Sequence, residues 1–230
     1  MNILAFIPAR GGSKGIPRKN LVELGGKPLI QHTLDLFKYF PESIHPLVST
    51  DDEEIAAYCL GQGLDMAYRR PAIHAGDSSS IMDAIEDALN WLAKYRNYRP
   101  DAVLLLQPTS PLRFPDEMNE ALARFETHDL QSIVSVTPMR EHPYECIEMN
   151  GDEWEFLKQP KSAATARQQY EQSFYFIDGS FYLAKVGFLR QNKGFIKKHV
   201  TKFFALKRTW PIDIDYPDDL LVARAFIQGK

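Results

Sequence analysis

Between Ile7 and Asn20 the chain reads Ile-Pro-Ala-Arg-Gly-Gly-Ser-Lys-Gly-Ile-Pro-Arg-Lys-Asn, directly after the apolar run from Ile3. That composition suits phosphate. Gly11, Gly12 and Gly15 let the backbone bend and bring its amides close to an anion, while Arg10, Lys14, Arg18 and Lys19 supply charge. No acidic residue precedes Glu23, so a chain of net charge -3 keeps its first segment cationic and focuses positive potential at one strand edge. A solvated basic turn is the alternative. Neither common nucleotide motif fits: a Walker loop would end in Gly-Lys-Ser/Thr, and a dinucleotide fingerprint would carry its third glycine into a helix, where Pro17 intervenes. Near the other end lies Ile212-Asp-Ile-Asp215. Read as a strand, it points Asp213 and Asp215 to one face and both isoleucines into the core. Two hard carboxylates on one face suit Mg²⁺ shared with nucleotide phosphates. Capping of the helical run from Leu220 to Ile227 is a rival role for Asp215 or the residues after it.

These groups need elements to hold them. Short apolar strands alternate with amphipathic helices, the pattern of an α/β domain with a mostly parallel sheet covered on both faces. Ala102 to Leu106 is the clearest strand, and Ile81, Ala84, Ile85, Ala88, Leu89 and Leu92 repeat at helical spacing behind Asp77-Ser-Ser-Ser80. In such sheets ligands bind beyond the carboxyl ends of the strands. The loop after Ile7, Ser49-Thr50, Gln107 and the Asp213–Asp215 pair all fall at or near such ends, so one crevice can collect them. From Pro138 to about Tyr175 the alternation breaks. Tyr144 to Met149 and Asp152 to Leu157, joined at Asn150-Gly151, read as a hairpin with a type I′ turn. Its apolar residues need a partner surface or their own subunit to cover them.

Composition fits one domain over residues 1–230 with an arm at 138–175: 44% hydrophobic and 25% charged residues suffice for a substantial core. The start lacks a cationic leader and no apolar run approaches a membrane span, so the expectation is a cytoplasmic enzyme with no membrane or nucleic-acid partner. Two cysteines, Cys59 in a helix and Cys146 in a strand, form neither a disulfide framework nor a zinc pattern and read as packing residues.

The loop resembles the signature of sugar nucleotidyltransferases, and in this form that of the CMP-N-acylneuraminate synthetases, cytidylyltransferases that activate nine-carbon acidic sugars. The likeness continues in order through Ser49-Thr-Asp-Asp52, Arg70-Pro-Ala72, Asp77-Ser-Ser-Ser80, Leu106-Gln-Pro-Thr-Ser-Pro-Leu-Arg113, Ser135-Val-Thr-Pro138, His142-Pro143 and Ile212-Asp-Ile-Asp215. It implies a Rossmann-like nucleotidyltransferase domain whose arm dimerises, CTP and an acidic keto-sugar as substrates, and Mg²⁺ on Asp213 and Asp215. Arg10 and Lys14 would hold the triphosphate with Gly11, Gly12 and Ser13, Lys19 the α-phosphate, and Asn20 the nucleotide. Arg70, Asp77, Ser78 and Ser80 would border base and ribose, although a helix cap alone would also account for the serines. Gln107 would orient the sugar or merely fix its own turn. Arg167, Tyr182 and Phe195 align with residues expected at the sugar.

Departures from the family fall at the sugar end. Glu145 and Phe176 stand where N-acetylneuraminate enzymes carry cations, so a relative such as legionaminate or pseudaminate stays open, with His142-Pro-Tyr144 leaning towards legionaminate. His32 and His128, on helices, and His142, in the arm, read as structural, leaving no histidine base. A CMP-Kdo synthetase is the nearest rival, but its family carries an aspartate near Gln107 that is missing here. A non-catalytic nucleotide-binding protein would have lost Lys19 or the aspartate pair, and both are present.

Overall fold

A computed structural model describes residues 1–159, 173–207 and 212–228. In chain order it contains β1 (Ile3–Pro8), the short β2 (Glu23–Leu24) and β3 (Lys27–Pro28), α1 (Leu29–Leu34), β4 (Ile44–Ser49), α2 (Glu53–Gly61) and α3 (Ile81–Tyr95). Then follow β5 (Ala102–Leu105), α4 (Pro115–Thr127), β6 (Ser132–Pro138), β7 (Ile147–Asn150), β8 (Glu153–Phe156), β9 (Tyr175–Lys185), α5 (Val186–Asn192), β10 (Lys202–Ala205) and α6 (Pro217–Gln228).

Six strands form one sheet in the order β10-β6-β9-β5-β1-β4. It is mostly parallel: β1 runs with β4 and β5, β6 runs with β10, and β9 alone reverses, pairing antiparallel with both β5 and β6. The central strands β1 and β5 are apolar on both faces because helices cover both. One core gathers residues of α1, α2 and α4, including Phe125 and Ile30, and the other packs the Ala84, Ile85, Ala88, Leu89 and Leu92 stripe of α3 against Leu4, Phe6 and Val103. Ser80 caps α3, its Oγ accepting from the Met82 amide. Asp52 caps α2 in the same way, taking the Glu54 and Ile55 amides. Cys59 is buried in α2, where burial pushes its thiol up to about 11 and keeps it inert.

A third, smaller cluster joins Ile16, Leu24 and Leu29 to Ile212, Ile214, Leu220 and Ala223. It is what holds the basic loop against the C-terminal acidic segment.

Four local expectations are corrected. Ile212–Asp215 keeps the alternation of a strand, isoleucines buried and aspartates open, but joins no ladder; the Ile214 amide donates to the Thr109 carbonyl instead. The strand expected from Tyr144 starts only at Ile147. Pro143, which fixes φ and offers no amide, opens a 3-10 turn instead, the His142 ring accepts from the Tyr144 amide, and Cys146 lies at the end of that turn. The hairpin forms, yet Asn150 pairs with Glu153 and Gly151 takes the positive φ of 65° at the first loop position, a type II′ arrangement rather than I′. His128 caps the end of α4 rather than lying within it. The hairpin is a separate two-stranded sheet whose Met149 and Trp154 are 61% and 56% exposed. No helix among the described residues is long and apolar enough to cross a membrane.

Candidate active site

A crevice of about 510 Å³ opens where β1 and β5 end. Its walls include Arg10, Ser13, Lys14, Gly15, Lys19, Asn20, Arg70, Asp77, Ser80, Gln107, Asp213 and Asp215, so the groups separated by up to 200 residues in sequence converge as expected. Their contacts explain how each is held.

The loop cations are paired with protein carboxylates. Asp77 bridges two of them, with Oδ1 2.8 Å from Arg10 Nη1 and Oδ2 2.9 Å from Lys14 Nζ, and both cations hold its carboxyl below the usual range. Lys19 Nζ lies 2.7 Å from Asp215 Oδ1. Arg18, the fourth cation, turns away to Glu54 of α2 and is no part of the crevice wall. Asn20 is buried and donates from Nδ2 to the Arg10 carbonyl, which ties the two ends of the loop together.

The glycines serve a tighter purpose than anion approach alone. A Cβ on Gly15 would stand 2.0 Å from the Asp215 carbonyl oxygen, and one on Gly11 would stand 2.6 Å from Asp52 Oδ2. The Gly11 amide itself donates to Asp51. Of the three loop glycines, Gly12 alone has open space, with nothing within 4 Å of where a side chain would begin.

Arg70 is buried and donates from Nε and Nη2 to the hydroxyl and carbonyl of Ser49; burial pulls its pKa down while the Asp51 charge opposes the fall. Asp213 is open to the crevice, yet desolvation by the surrounding wall raises its carboxyl, and the Asp215 charge adds to that. A hydrogen bond from Thr109 and the charges of Lys19 and Arg113 act the other way. Asp219 reaches back to accept from the Asp215 and Tyr216 amides, so the helix start is served without Asp215's side chain.

No group of three or more metal-ligating side chains occurs among the described residues. The Asp213–Asp215 pair still fits Mg²⁺, which takes one or two protein carboxylates and completes its shell with phosphate and water. Desolvation, and after it the charge of Asp215, raises Asp213, and a bound cation would offset both.

Other predicted residues lie apart. Ser49 and Thr50, expected in the same crevice, are fully buried and do not line it, and neither do Gly11, Gly12 and Ser78. Tyr182 on β9 packs against buried Phe195, ring centroids 5.7 Å apart, and neither lines it either. Arg167 lies outside the described residues. Glu145 and Phe176 are both exposed. Sequence reasoning missed His74, Thr109 and Tyr216 in the crevice wall. Thr109 and Tyr216 adjoin assigned residues, but nothing in the sequence marks His74.

A family model described as cytidylyltransferase matches residues 4–230. The chain belongs to the cytidylyltransferase family. It is 30% identical to an N-acylneuraminate cytidylyltransferase of Streptococcus agalactiae over 96% of its own length, and spans about half, 52%, of that relative. A CMP-N,N'-diacetyllegionaminic acid synthase of Legionella pneumophila is 34% identical, the match covering 95% of this chain and 93% of that one. A pseudaminic acid cytidylyltransferase of Campylobacter jejuni is 27% identical, covering 97% and 95%. Among solved structures, a CMP:2-keto-3-deoxy-manno-octonic acid synthetase complexed with CTP superposes with a TM-score of 0.73 over 100% of this chain and 99% of that one. At 17% identity that likeness shows the fold.

Two outcomes test this geometry. Gly15→Ala should displace the acidic segment and lower turnover about 10²-fold, as ångström-scale misplacement does, while Gly12→Ala leaves turnover within about twofold; equal effects in steady-state kinetics would contradict the close approach. The raised Asp213 carboxyl holds a proton in the native state that the unfolded chain has released, so stability falls as pH rises through that window. Asp213→Asn should therefore melt above the parent at pH 7 in chelator and match it below about pH 3, where both states are protonated. A variant melting lower at pH 7 would reverse the sign.

Proposed function

We propose that the chain transfers CMP from CTP to the anomeric hydroxyl of an acidic nine-carbon 2-keto sugar, releasing pyrophosphate. The sugar oxygen forms a bond to the α-phosphorus, the bond from that phosphorus to the pyrophosphate oxygen breaks, and the hydroxyl proton is released. The observation that carries this reading is the crevice itself, where a cationic loop faces two carboxylates with Gln107 at the adjoining strand end.

Arg10 and Lys14 exchange Asp77 for the β- and γ-phosphates, and Lys19 exchanges Asp215 for the α-phosphate, where charge develops in the transition state. Asn20 keeps the loop closed around them. Arg70 and the Asp77–Ser80 loop border the base and ribose. Asp213 and Asp215 would hold Mg²⁺, which when bound supplies neutralising charge to the phosphates. Gln107, at the crevice end of β5, orients the sugar.

The names of the relatives support an acidic nonulosonate as acceptor. Pyrophosphate release measured over CTP, UTP and ATP with N-acetylneuraminate, legionaminate, pseudaminate and Kdo should need CTP and a nine-carbon acid. Release with UTP or Kdo alone would overturn the reading. Within that assay Lys19→Ala should lose about 10²–10³-fold in turnover with little change in CTP affinity, whereas Arg10→Ala weakens both. Unchanged kinetics in Lys19→Ala would remove it from the reaction.

The exposed apolar hairpin, β7–β8, supports a homodimer in which each arm packs on the other subunit. Light scattering at micromolar concentration should give twice the 26.3 kDa of one chain. A clean single-chain mass would refute the shared arm.

A further inference from the structure

Arg113 closes the Gln107-Pro-Thr-Ser-Pro-Leu-Arg motif, and no step above uses it. It is 8% exposed, and its guanidinium is tied to three separate elements. Nη2 donates to the Gln107 carbonyl at 2.6 Å, Nη1 to Thr33 Oγ1 of α1 at 3.1 Å, and Nε to the Ser180 carbonyl of β9. Removing a guanidinium from water is costly unless it is hydrogen-bonded, so a fork that spends each of its three nitrogens on a backbone carbonyl or a hydroxyl is a committed anchor.

What it anchors is the acceptor half of the crevice. Gln107 lines the crevice at the end of β5, and two residues on, Thr109 accepts from the Ile214 amide and hydrogen-bonds the Asp213 carboxyl. The same turn is bonded to β9 a second time, Ser110 Oγ donating to the Gly179 carbonyl at 3.2 Å. Gly179 sits at φ 75°, and a Cβ there would meet Ser110 Oγ at 3.4 Å, Gln107 Oε1 at 3.8 Å and Asp213 Oδ2 at 4.0 Å. Three groups of the site thus crowd one point. Behind them Asp178, 2% exposed, accepts from Ser135 and the Ser180 amide, and its charge together with Asp213's offsets the buried cation.

We propose that Arg113 is the positioning residue of the sugar-accepting half of the site: it fixes the turn carrying Gln107, and through Thr109 the Asp213 segment, against β9. The inference rests on the cytidylyl-transfer reading. Among the described residues no hydrogen bond or ion pair joins the phosphate loop to Arg113, so nucleotide binding is predicted to be independent of it.

The test uses the full-length enzyme. Arg113→Lys keeps the charge and loses the fork. It should lower kcat/KM for the sugar about 10²-fold, while the Kd for CTP, titrated calorimetrically in chelator without sugar, stays within about twofold. In a Gln107→Ala background the same substitution should cost less than in the parent, because both act through one turn. Thr33→Val, which removes one acceptor of the Arg113 guanidinium and leaves Arg113 in place, should lower sugar kcat/KM about 2–10-fold with CTP binding unchanged. That variant decides the matter if Arg113→Lys does not fold. CTP affinity falling in parallel, losses that multiply with Gln107→Ala, or unchanged sugar kinetics would overturn the proposal while the parent's activity stands. A parent inactive with every acidic keto sugar would overturn the functional reading and this inference with it.

Discussion

Lys19 and Asp215 meet at 2.7 Å across the mouth of the crevice, and the rest of the site is arranged around that contact. The lysine is 14% exposed on its side chain while the aspartate is largely open, so the pair adds modest stability and its role is to set a distance. The Ile16–Leu24–Leu29 cluster grips Ile212 and Ile214, and Gly15 omits the side chain that would strike the Asp215 carbonyl. Opposite charges are thereby held close enough to neutralise one another.

The same economy governs the other cations. Arg10 and Lys14 face Asp77, and Arg70 is spent on Ser49. Three ion pairs and one buried arginine make a crevice whose positive field is latent; in the proposed reaction, incoming phosphates would replace Asp77 and Asp215 as partners of the cations instead of meeting bare charge. Exchange of one carboxylate for a multiply charged phosphate favours binding, and it leaves each displaced carboxylate free for a cation. The acceptor side is built differently, on backbone carbonyls and a buried guanidinium that do not exchange.

Much of this was legible in the sequence, and the limits are physical. Local patterns read correctly: the apolar run before the loop, the stripe on α3 and the alternation of isoleucine and aspartate at 212–215 each depend on neighbours within a few residues. Strand order and the reversal of β9 depend on pairings many residues apart and carry no local mark. Pro143, which opens a 3-10 turn and delays the strand to Ile147, outweighed the apolar pattern after it. Glycines 11 and 15 announced a tight approach, but only packing shows that the approach is to Asp52 and Asp215. Asp77 looked like a ribose contact, and its bridge between Arg10 and Lys14 is a long-range fact. Arg113 was quoted within its motif without a role, because a buried arginine and an exposed one look alike in sequence.

The central claim is that the crevice joins the α-phosphate of CTP to a sugar oxygen. Parallel incubations with CTP labelled with ³²P at the α or the γ position, resolved by anion-exchange chromatography, test it directly. The account predicts α label in an acid-labile sugar nucleotide and γ label in pyrophosphate. Label from the γ position on the sugar, or α label that never leaves free nucleotide in the presence of every acidic keto sugar, would contradict it.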